Sequence, residues 1–214
     1  MKKIIDVDLL GFDLDGTLYP LNEEIYRRIR EYSCLKASEI LNRPYQDVLE
    51  QFLRELDKTK SGSRSLQAIG IEDGKGLMQK ALENTNIESL LRKDEKLIEM
   101  FAKLKQSFSL FLITGSGKLV ALRKLEALGL DENLFSYKIY GESKLSRRDG
   151  SAFRDIAKNH GTDLSRMFFV GDREEVDILP ARKLGLTTAI VNATSAEAHY
   201  NLPDIYELER ILLE

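Results

Sequence analysis

From about residue 94 onward, helical and strand-like patterns of apolar residues alternate along the chain. The predicted helices span residues 94–105, 118–128, 150–159, 175–184 and 204–213. Short unalternated apolar runs, typical of strands buried on both faces, occupy residues 109–114, 137–140, 167–170 and 187–191. In the helix over 118–128, the predicted apolar row consists of Leu119, Leu122, Leu125 and Leu128. The alternation predicts βαβ units, and hence an α/β fold with a parallel, Rossmann-like sheet and helices on both of its faces.

The first predicted strand is separated from the others by a long block with helical periodicity. Residues 8–13 form a short apolar run that ends in a turn signal, Asp-Gly-Thr. Two helical patterns follow, one behind the N-cap candidate Asn22 and one behind Pro44, and then a polar loop over 57–63 and a short helix over 73–83. This block is far longer than an ordinary βα connection. We therefore expect a discontinuous core, residues 1–18 and 88–214, with an inserted all-helical cap, residues 19–87.

Composition excludes several classes of function. The chain of 214 residues has 32 Lys and Arg against 35 Asp and Glu, and this mildly acidic balance argues against nucleic acid polymers as partners. The sequence contains no run of eighteen apolar residues, so we expect no membrane span. Asp6 and Asp8 interrupt the first apolar stretch, so we expect no signal peptide. These two expectations together predict a cytoplasmic protein. One cysteine, Cys34, and two histidines, His160 and His199, are too few for the common zinc sites.

Polar residues follow three predicted strands at their carboxyl ends. Asp13 and Asp15 follow the first strand, Thr114 the second, and Asp172 and Asp177 the fourth. Because ligands of open α/β sheets bind at the carboxyl ends of the strands, we expect these side chains to share one rim. Clustered carboxylates repel one another unless a hard cation lies between them, and Mg²⁺ prefers oxygen ligands. One carboxylate can attack phosphorus, and a second one can protonate a leaving oxygen and later activate water.

These motifs resemble those of the haloacid dehalogenase-like superfamily. Residues 13–17, DLDGT, resemble its first motif, DxDGT, and residues 112–115, LITG, resemble its second. Residues 171–177, which begin GD and end in Asp, resemble its fourth motif, GDxxxxD. The resemblance covers essentially the whole chain. The inserted block is similar to the helical cap of this superfamily. The sequence DLDGTLYP, residues 13–20, is most similar to that of the pyrimidine 5′-nucleotidase-like members.

The resemblance implies a role for each motif residue. Asp13 would be the nucleophile and a metal ligand, and Asp15 would be the acid and base and would offer its backbone carbonyl to the metal. Thr114 would hydrogen-bond the phosphoryl group. Asp172 would be a metal ligand, and Asp177 would support it or ligate through water. Phosphatases and phosphomutases of the superfamily have an acid at the position of Asp15, whereas its dehalogenases lack one.

The third motif departs from the family pattern. The family usually has Lys, often followed by Pro, six residues before an aromatic residue, and counting back from Phe153 gives Arg147 without a following Pro. The nearest lysine is Lys144. Either cation could offset charge on the nucleophile and the phosphoryl group, although Arg and Lys are not equivalent there, and a solvated basic loop explains the stretch equally well. Gly115 is interpreted as a turn residue that lets backbone amides approach phosphate, and Tyr19 as lining the entrance or packing under the cap.

We therefore expect a Mg²⁺-dependent phosphatase that hydrolyses small phosphate monoesters through an aspartyl-phosphate. Its partner would be a small phosphorylated metabolite, and its state a monomer or homodimer. Nucleotide monophosphates are the substrates that the resemblance implies, while sugar phosphates and phosphoglycolate stay open. One alternative is a phosphomutase, which protects the same intermediate from water. Another is a non-catalytic, phospho-receiver-like regulatory protein, against which the position of the acidic pair and the long insertion both count.

Overall fold

The computed structural model describes residues 6–213, and within them the strands form one six-stranded parallel sheet flanked by helices. This confirms the predicted α/β, Rossmann-like fold class. In chain order, the elements are β1 (Leu9–Phe12), α1 (Glu23–Leu41), α2 (Tyr45–Thr59), α3 (Gly62–Ala68), α4 (Gly74–Asn84), α5 (Glu95–Ser107), β2 (Ser109–Ile113), α6 (Lys118–Leu128), β3 (Tyr137–Ile139), α7 (Ser151–His160), β4 (Met167–Gly171), α8 (Leu179–Lys183), β5 (Thr187–Val191), β6 (Tyr200–Leu202) and α9 (Glu207–Leu212).

The strand order places β1 at the point where the winding of the sheet reverses. The order is β3-β2-β1-β4-β5-β6, and Leu10 of β1 lies opposite both Leu110 of β2 and Phe168 of β4. The chain therefore winds outward from β1 to β3 and returns to β4 on the other side. A reversal of this kind opens a crevice at the carboxyl ends of the two central strands, where ligands of such sheets bind.

Aromatic side chains pack helices against the two faces of the sheet. Phe12 of β1 contacts Phe101 of α5, with ring centroids 4.9 Å apart. On the opposite face, Phe169 of β4 contacts Phe153 of α7 at 5.0 Å, with the rings nearly perpendicular. Pairs of this geometry each contribute about 0.5–1.5 kcal/mol beyond the apolar area that they bury. The strands that carry the candidate site are thus fixed from both sides.

The chain divides into two compact units. One consists of the described residues up to Pro20 together with those from Leu91 onward, and the other of Leu21–Leu90. Helices α1 to α4 belong to the second unit, whose apolar core includes Cys34, Val48 and Phe52. That this unit serves as a cap, with the boundaries expected above, stays a prediction. Within residues 6–213, no helix combines the length and the apolar character that crossing a membrane requires.

The prediction of a loop over residues 57–63 is wrong. Helix α2 continues to Thr59, and α3 begins at Gly62, so only two residues lie between them. Lys60 ends α2 in the left-handed conformation, with a φ of 48°. Asp57 and Lys58, two of the polar residues that suggested a loop, are exposed in the last turn of α2, where Lys58 pairs with Glu55.

Strand β6 and the start of the helix after β4 were not predicted as the structure has them. With only three residues, Tyr-Asn-Leu, β6 has no apolar run to reveal it, yet it pairs in parallel with β5. The predicted helix over 175–184 is instead a π-helical turn, Glu174–Ile178, followed by the short helix α8. This turn carries Asp177 back against the end of β4.

Helix α6 has its predicted bounds but not its predicted buried face. Leu119, expected in the apolar row, is 74% exposed. The buried side chains of the helix are Val120, Ala121, Lys124, Leu125 and Leu128. A lysine that is 0% exposed thus lies on the inward face of α6, where sequence reasoning had placed leucines alone.

Candidate active site

The turn that follows β1 carries both carboxylates of the first motif. Asp13 extends the sheet by one residue, because its backbone N–H donates to the Val170 carbonyl oxygen at 2.9 Å. Gly16 then turns the chain with a φ of 85°, in the left-handed region. A Cβ atom at Gly16 would lie 2.3 Å from Asp172 Oδ2, so a larger residue would displace that carboxylate. The turn thereby brings Asp172, which follows β4, against the backbone of the first motif.

Among the described residues, three carboxylates gather where β1 and β4 end. Asp13, Asp172 and Asp177 each offer one oxygen, and these oxygens all lie within 4.8 Å of one another. Burial raises the pKa of Asp13 to about 6, with the Asp177 charge adding to the effect and Arg147 opposing it. Burial also raises the pKa of Asp172 to about 8, and the charges of Asp13 and Asp177 act in the same direction. The cluster therefore concentrates negative charge where water cannot screen it.

Arg147 is a buried cation that faces this cluster. Its Nη1 atom lies 2.9 Å from Asp13 Oδ1 and 2.6 Å from Asp177 Oδ1. Although burial opposes the charged form, Asp13 and Asp177 raise the pKa of Arg147 above its ordinary value. Lys144, the other candidate for the third motif, is an exposed side chain. The geometry thus places Arg147 against the first-motif carboxylate.

The acidic cluster is suited to a hard cation. Asp13 Oδ1 and Asp172 Oδ1 are buried, and neither accepts a hydrogen bond from any residue within 6–213. The Arg147 contact to Asp13 is therefore an ion pair without hydrogen-bond geometry, and Arg173 Nε lies 3.8 Å from Asp172 Oδ1. Buried carboxylate oxygens without donors are costly. An all-oxygen donor set without His or Cys fits Mg²⁺ better than it fits Zn²⁺.

The neighbouring carboxylate, Asp15, has its hydrogen bonds satisfied. Lys124 Nζ donates to Asp15 Oδ1 at 2.5 Å, and Ser116 Oγ donates to Asp15 Oδ2 at 2.7 Å. The Tyr19 hydroxyl also donates to Asp15 Oδ1. Burial alone would raise the pKa of Asp15, but the Lys124 charge and the hydrogen bonds from Lys124, Tyr19 and Ser116 outweigh burial and lower it. Asp15 is therefore held as a carboxylate, although its side chain keeps 22% of its surface exposed.

The loop after β2 places Thr114, Gly115 and Ser116 beside Asp15. The Thr114 backbone N–H donates to the Ile139 carbonyl oxygen at 2.9 Å, and this bond ties the loop to β3. Thr114 Oγ1 accepts from the Ser116 N–H at 3.0 Å and lies 3.5 Å from Asp15 Oδ2. A Cβ atom at Gly115 would meet nothing within 4 Å. The backbone at Gly115 thus borders open space in which a ligand can approach the peptide groups.

Sequence reasoning missed Lys124 and Ser116, and it gave Tyr19 no contact with Asp15. The signal for Lys124 was present, because the row Val120, Lys124, Leu128 runs along α6 at four-residue intervals and has one charge among apolar residues. A charge in such a row is either solvated or paired inside the protein. The sequence alone cannot show which, since the partner, Asp15, lies far away along the chain.

Comparison with known proteins agrees with these motifs. A model of the haloacid dehalogenase-like hydrolase family matches residues 7–185. Among solved structures, the chain is similar to a HAD phosphatase from Thermococcus onnurineus, with a TM-score of 0.67, 20% identity, and coverage of 96% of this chain and 97% of that one. It is also similar to a magnesium-bound putative HAD-hydrolase from Bacillus subtilis, with a TM-score of 0.62, 19% identity, and coverage of 97% and 99% respectively.

A dehalogenase is among the similar structures as well. The 2-haloacid dehalogenase from Pseudomonas syringae pv. Tomato DC3000 has a TM-score of 0.59 and 19% identity, over 96% of this chain and 97% of that chain. At such identities, these three structures show a common fold and no more. The family match is different, because it extends from before β1 to the end of α8 and takes in every motif described above. The chain belongs to the haloacid dehalogenase-like hydrolase family.

Proposed function

We propose that this protein is a Mg²⁺-dependent phosphatase that hydrolyses small phosphate monoesters through an aspartyl-phosphate on Asp13. The observation that carries the proposal is the pair of unlike carboxylates in one turn. Asp13 lies in an acidic cluster with an oxygen that lacks a donor, whereas Asp15 is bonded to Lys124, Ser116 and Tyr19. Two carboxylates in contrasting environments can take different roles in one reaction, one as nucleophile and one as acid and base.

In the first step, an Asp13 oxygen attacks phosphorus and the bond to the leaving oxygen breaks. Arg147 fixes the Asp13 carboxylate and offsets part of the negative charge around it. The Thr114 hydroxyl and the peptide groups near Gly115 would bind phosphoryl oxygens. Asp13, Asp172 and Asp177 would hold Mg²⁺ together with the Asp15 backbone carbonyl. When bound, the metal would offset negative charge on the nucleophile and on the phosphoryl oxygens.

Asp15 would handle the protons of both steps. In its protonated form, it would give its proton to the leaving oxygen as the ester bond breaks. As a carboxylate, it would then take a proton from the water that attacks phosphorus, which frees phosphate and restores Asp13. The donors around Asp15 favour the carboxylate, which is the form that the water step needs, so Asp15 would have to take up a proton before the first step and would return to the carboxylate by giving that proton to the leaving oxygen. The resemblance supports the same division of roles, because dehalogenases of the superfamily lack this acid.

The substrate class is a small phosphorylated metabolite, with nucleotide monophosphates as the first choice. The resemblance of DLDGTLYP to the pyrimidine 5′-nucleotidase-like members supports that choice, and sugar phosphates and phosphoglycolate are the next candidates. We also propose residues 19–87 as the cap that selects the substrate and residues 1–18 with 88–214 as the catalytic core. The similar Bacillus subtilis structure, described as revealing interdomain movement, is consistent with such a division.

The test is phosphate release from a panel of monoesters with Mg²⁺, for the wild type and for Asp13→Asn. Mg²⁺-dependent release by the wild type and none by Asp13→Asn is the expected result. A matched control is Asp155→Asn in α7, which changes an acidic residue away from the site and should leave the rate unchanged. Equal release by the wild type and Asp13→Asn would refute the mechanism. A burst of phosphoenzyme without steady phosphate release would favour the phosphomutase, and halide release from 2-haloacids would favour a dehalogenase.

A further inference from the structure

Lys124 is a buried cation that the proposed reaction has not yet used. It projects from the inward face of α6 and is 0% exposed. Its Nζ atom donates to Asp15 Oδ1 at 2.5 Å and to Ser116 Oγ at 2.9 Å. Burying an ammonium group is costly unless it is both paired and hydrogen-bonded, and Lys124 is both. A fold that needed only packing at this position could place an apolar residue there, as α6 does at its other buried positions, which are Val120, Ala121, Leu125 and Leu128.

The contacts of Lys124 and Ser116 hold both oxygens of one carboxylate. Lys124 binds Oδ1 and Ser116 binds Oδ2, so rotation of the Asp15 carboxylate about its Cβ–Cγ bond would break at least one hydrogen bond. The contact between Lys124 and Ser116 links the two donors to each other. Asp15 keeps 22% of its side-chain surface exposed, so the side chain remains accessible from solvent while both of its carboxylate oxygens are held. A group fixed in this way is already oriented when its partner arrives.

We propose that Lys124 is a positioning residue that, with Ser116, fixes the Asp15 carboxylate for both of its proton transfers. This inference rests on the proposed phosphatase function and adds a residue that none of the family motifs in this chain includes. Lys124 touches neither the substrate nor the metal in this account, and it acts through Asp15. Its removal should therefore impair proton transfer by Asp15 while leaving the attack by Asp13 intact.

The test compares two kinds of leaving group in the variant Lys124→Met. An alkyl phosphate needs a proton on its leaving oxygen, whereas 4-nitrophenolate leaves well without one. Positioned acid–base groups contribute about 10²–10⁴-fold to such steps. We expect kcat/KM for the alkyl phosphate that the wild type hydrolyses fastest to fall by about 100-fold, and kcat/KM for 4-nitrophenyl phosphate to fall less than about tenfold.

A second signature lies in the time course with 4-nitrophenyl phosphate. If the water step also depends on Asp15, Lys124→Met should release a rapid burst of nitrophenolate, equivalent to the enzyme present, and then turn over slowly. Ser116→Ala, which keeps the Lys124 charge, should show a smaller change in the same direction and covers the case in which Lys124→Met does not fold. Lys158→Met, at an exposed position of α7, is the matched control and should behave like the wild type.

The outcomes separate this inference from the function on which it rests. A wild type that releases no phosphate from any ester would overturn the proposed function and this inference with it. If the wild type is active and Asp13→Asn is not, equal losses of kcat/KM on the alkyl and aryl esters without a burst would overturn the role of Lys124 alone. That result would show Lys124 to support the fold rather than the proton transfers of Asp15.

Discussion

Asp13 and Asp15 belong to the same turn, yet the carboxylates on the two sides of the site differ in how far their hydrogen bonds are satisfied. On the Asp13 side, one guanidinium faces a cluster of carboxylates, and two buried oxygens lack a donor among residues 6–213. On the Asp15 side, a lysine, a serine and a tyrosine satisfy one carboxylate. The first side is incomplete, because two of its buried carboxylate oxygens accept no hydrogen bond from residues 6–213, whereas the second side is complete, because both oxygens of Asp15 accept hydrogen bonds. Under the proposed function, the Asp13 side would bind the metal, and the Asp15 side would hold its carboxylate already oriented.

Removing a carboxylate from the incomplete side should have the largest effect. In Asp172→Asn, we expect Mg²⁺-dependent activity to fall by at least about 100-fold, the upper end of the range for changes that merely adjoin a metal site. The metal-free protein should be as stable as the wild type or more stable, because burial and the neighbouring carboxylates oppose ionisation of Asp172 and the amide of Asn carries no charge. Activity assays and thermal unfolding without metal measure the two effects. Glu126→Gln, at an exposed position of α6, is the control, and a strongly destabilised metal-free Asp172→Asn would contradict this account.

Removing the positive charge of Arg147 from the Asp13 side should lower the stability of the protein. Arg147→Met leaves Asp13 and Asp177 buried without their shared partner, so we expect a loss of about 3 kcal/mol in the free energy of unfolding. Arg147→Lys keeps the charge and should recover most of that stability, although a point charge cannot reproduce the planar guanidinium. Urea titrations of the three proteins measure the series. The same loss in both variants would show that shape, rather than charge, matters at this position.

The sequence predicts the Asp13 side of the site better than the Asp15 side. Arg147 could be found by counting back from Phe153, because the family motif fixes that distance, and the acidic residues follow directly from strand ends. Lys124 could not be found in this way, because a lysine on an amphipathic helix is normally solvated and only the three-dimensional structure shows its partner. The fold was predictable where apolar runs are long, as in β2 and α6. It was missed where an element is short or its polar face is wide, as in β6 and at the end of α2.

The dependence of metal binding on pH should sharpen the comparison further. The pKa of Asp13 is raised to about 6 and that of Asp172 to about 8, so the metal-free native state holds protons that the unfolded state has lost. Their contribution to stability is present at low pH and is lost as the pH rises through 6 and then 8. Mg²⁺ must displace these protons, and its stabilising effect should therefore grow over the same range. Thermal unfolding with and without Mg²⁺, from pH 5 to pH 9, measures it, and an increment that shrinks with rising pH would contradict the assignment of these ligands.

The smallest effect is expected from the complete side. Tyr19→Phe removes one of the donors to Asp15 Oδ1 but leaves Lys124 and Ser116 in place. We expect a loss of about 1 kcal/mol in stability and a smaller decrease in activity than in Lys124→Met. Urea titration and kcat/KM on an alkyl phosphate measure the two quantities. If Tyr19→Phe lowered activity more than Lys124→Met, the hydroxyl rather than the ammonium group would be the main support of Asp15.

The most direct test of the central claim is to find the phosphoryl group on Asp13. The wild type is mixed with Mg²⁺ and 4-nitrophenyl phosphate, whose leaving group needs no proton, quenched in acid during turnover, and analysed by mass spectrometry for the peptide that contains the first motif. We predict a phosphoryl group on Asp13 in the wild type, more of it in Lys124→Met because the water step is slowed, and none in Asp13→Asn. Steady phosphate release by the wild type with no phosphoryl group on Asp13, or with one on another residue, would contradict the account.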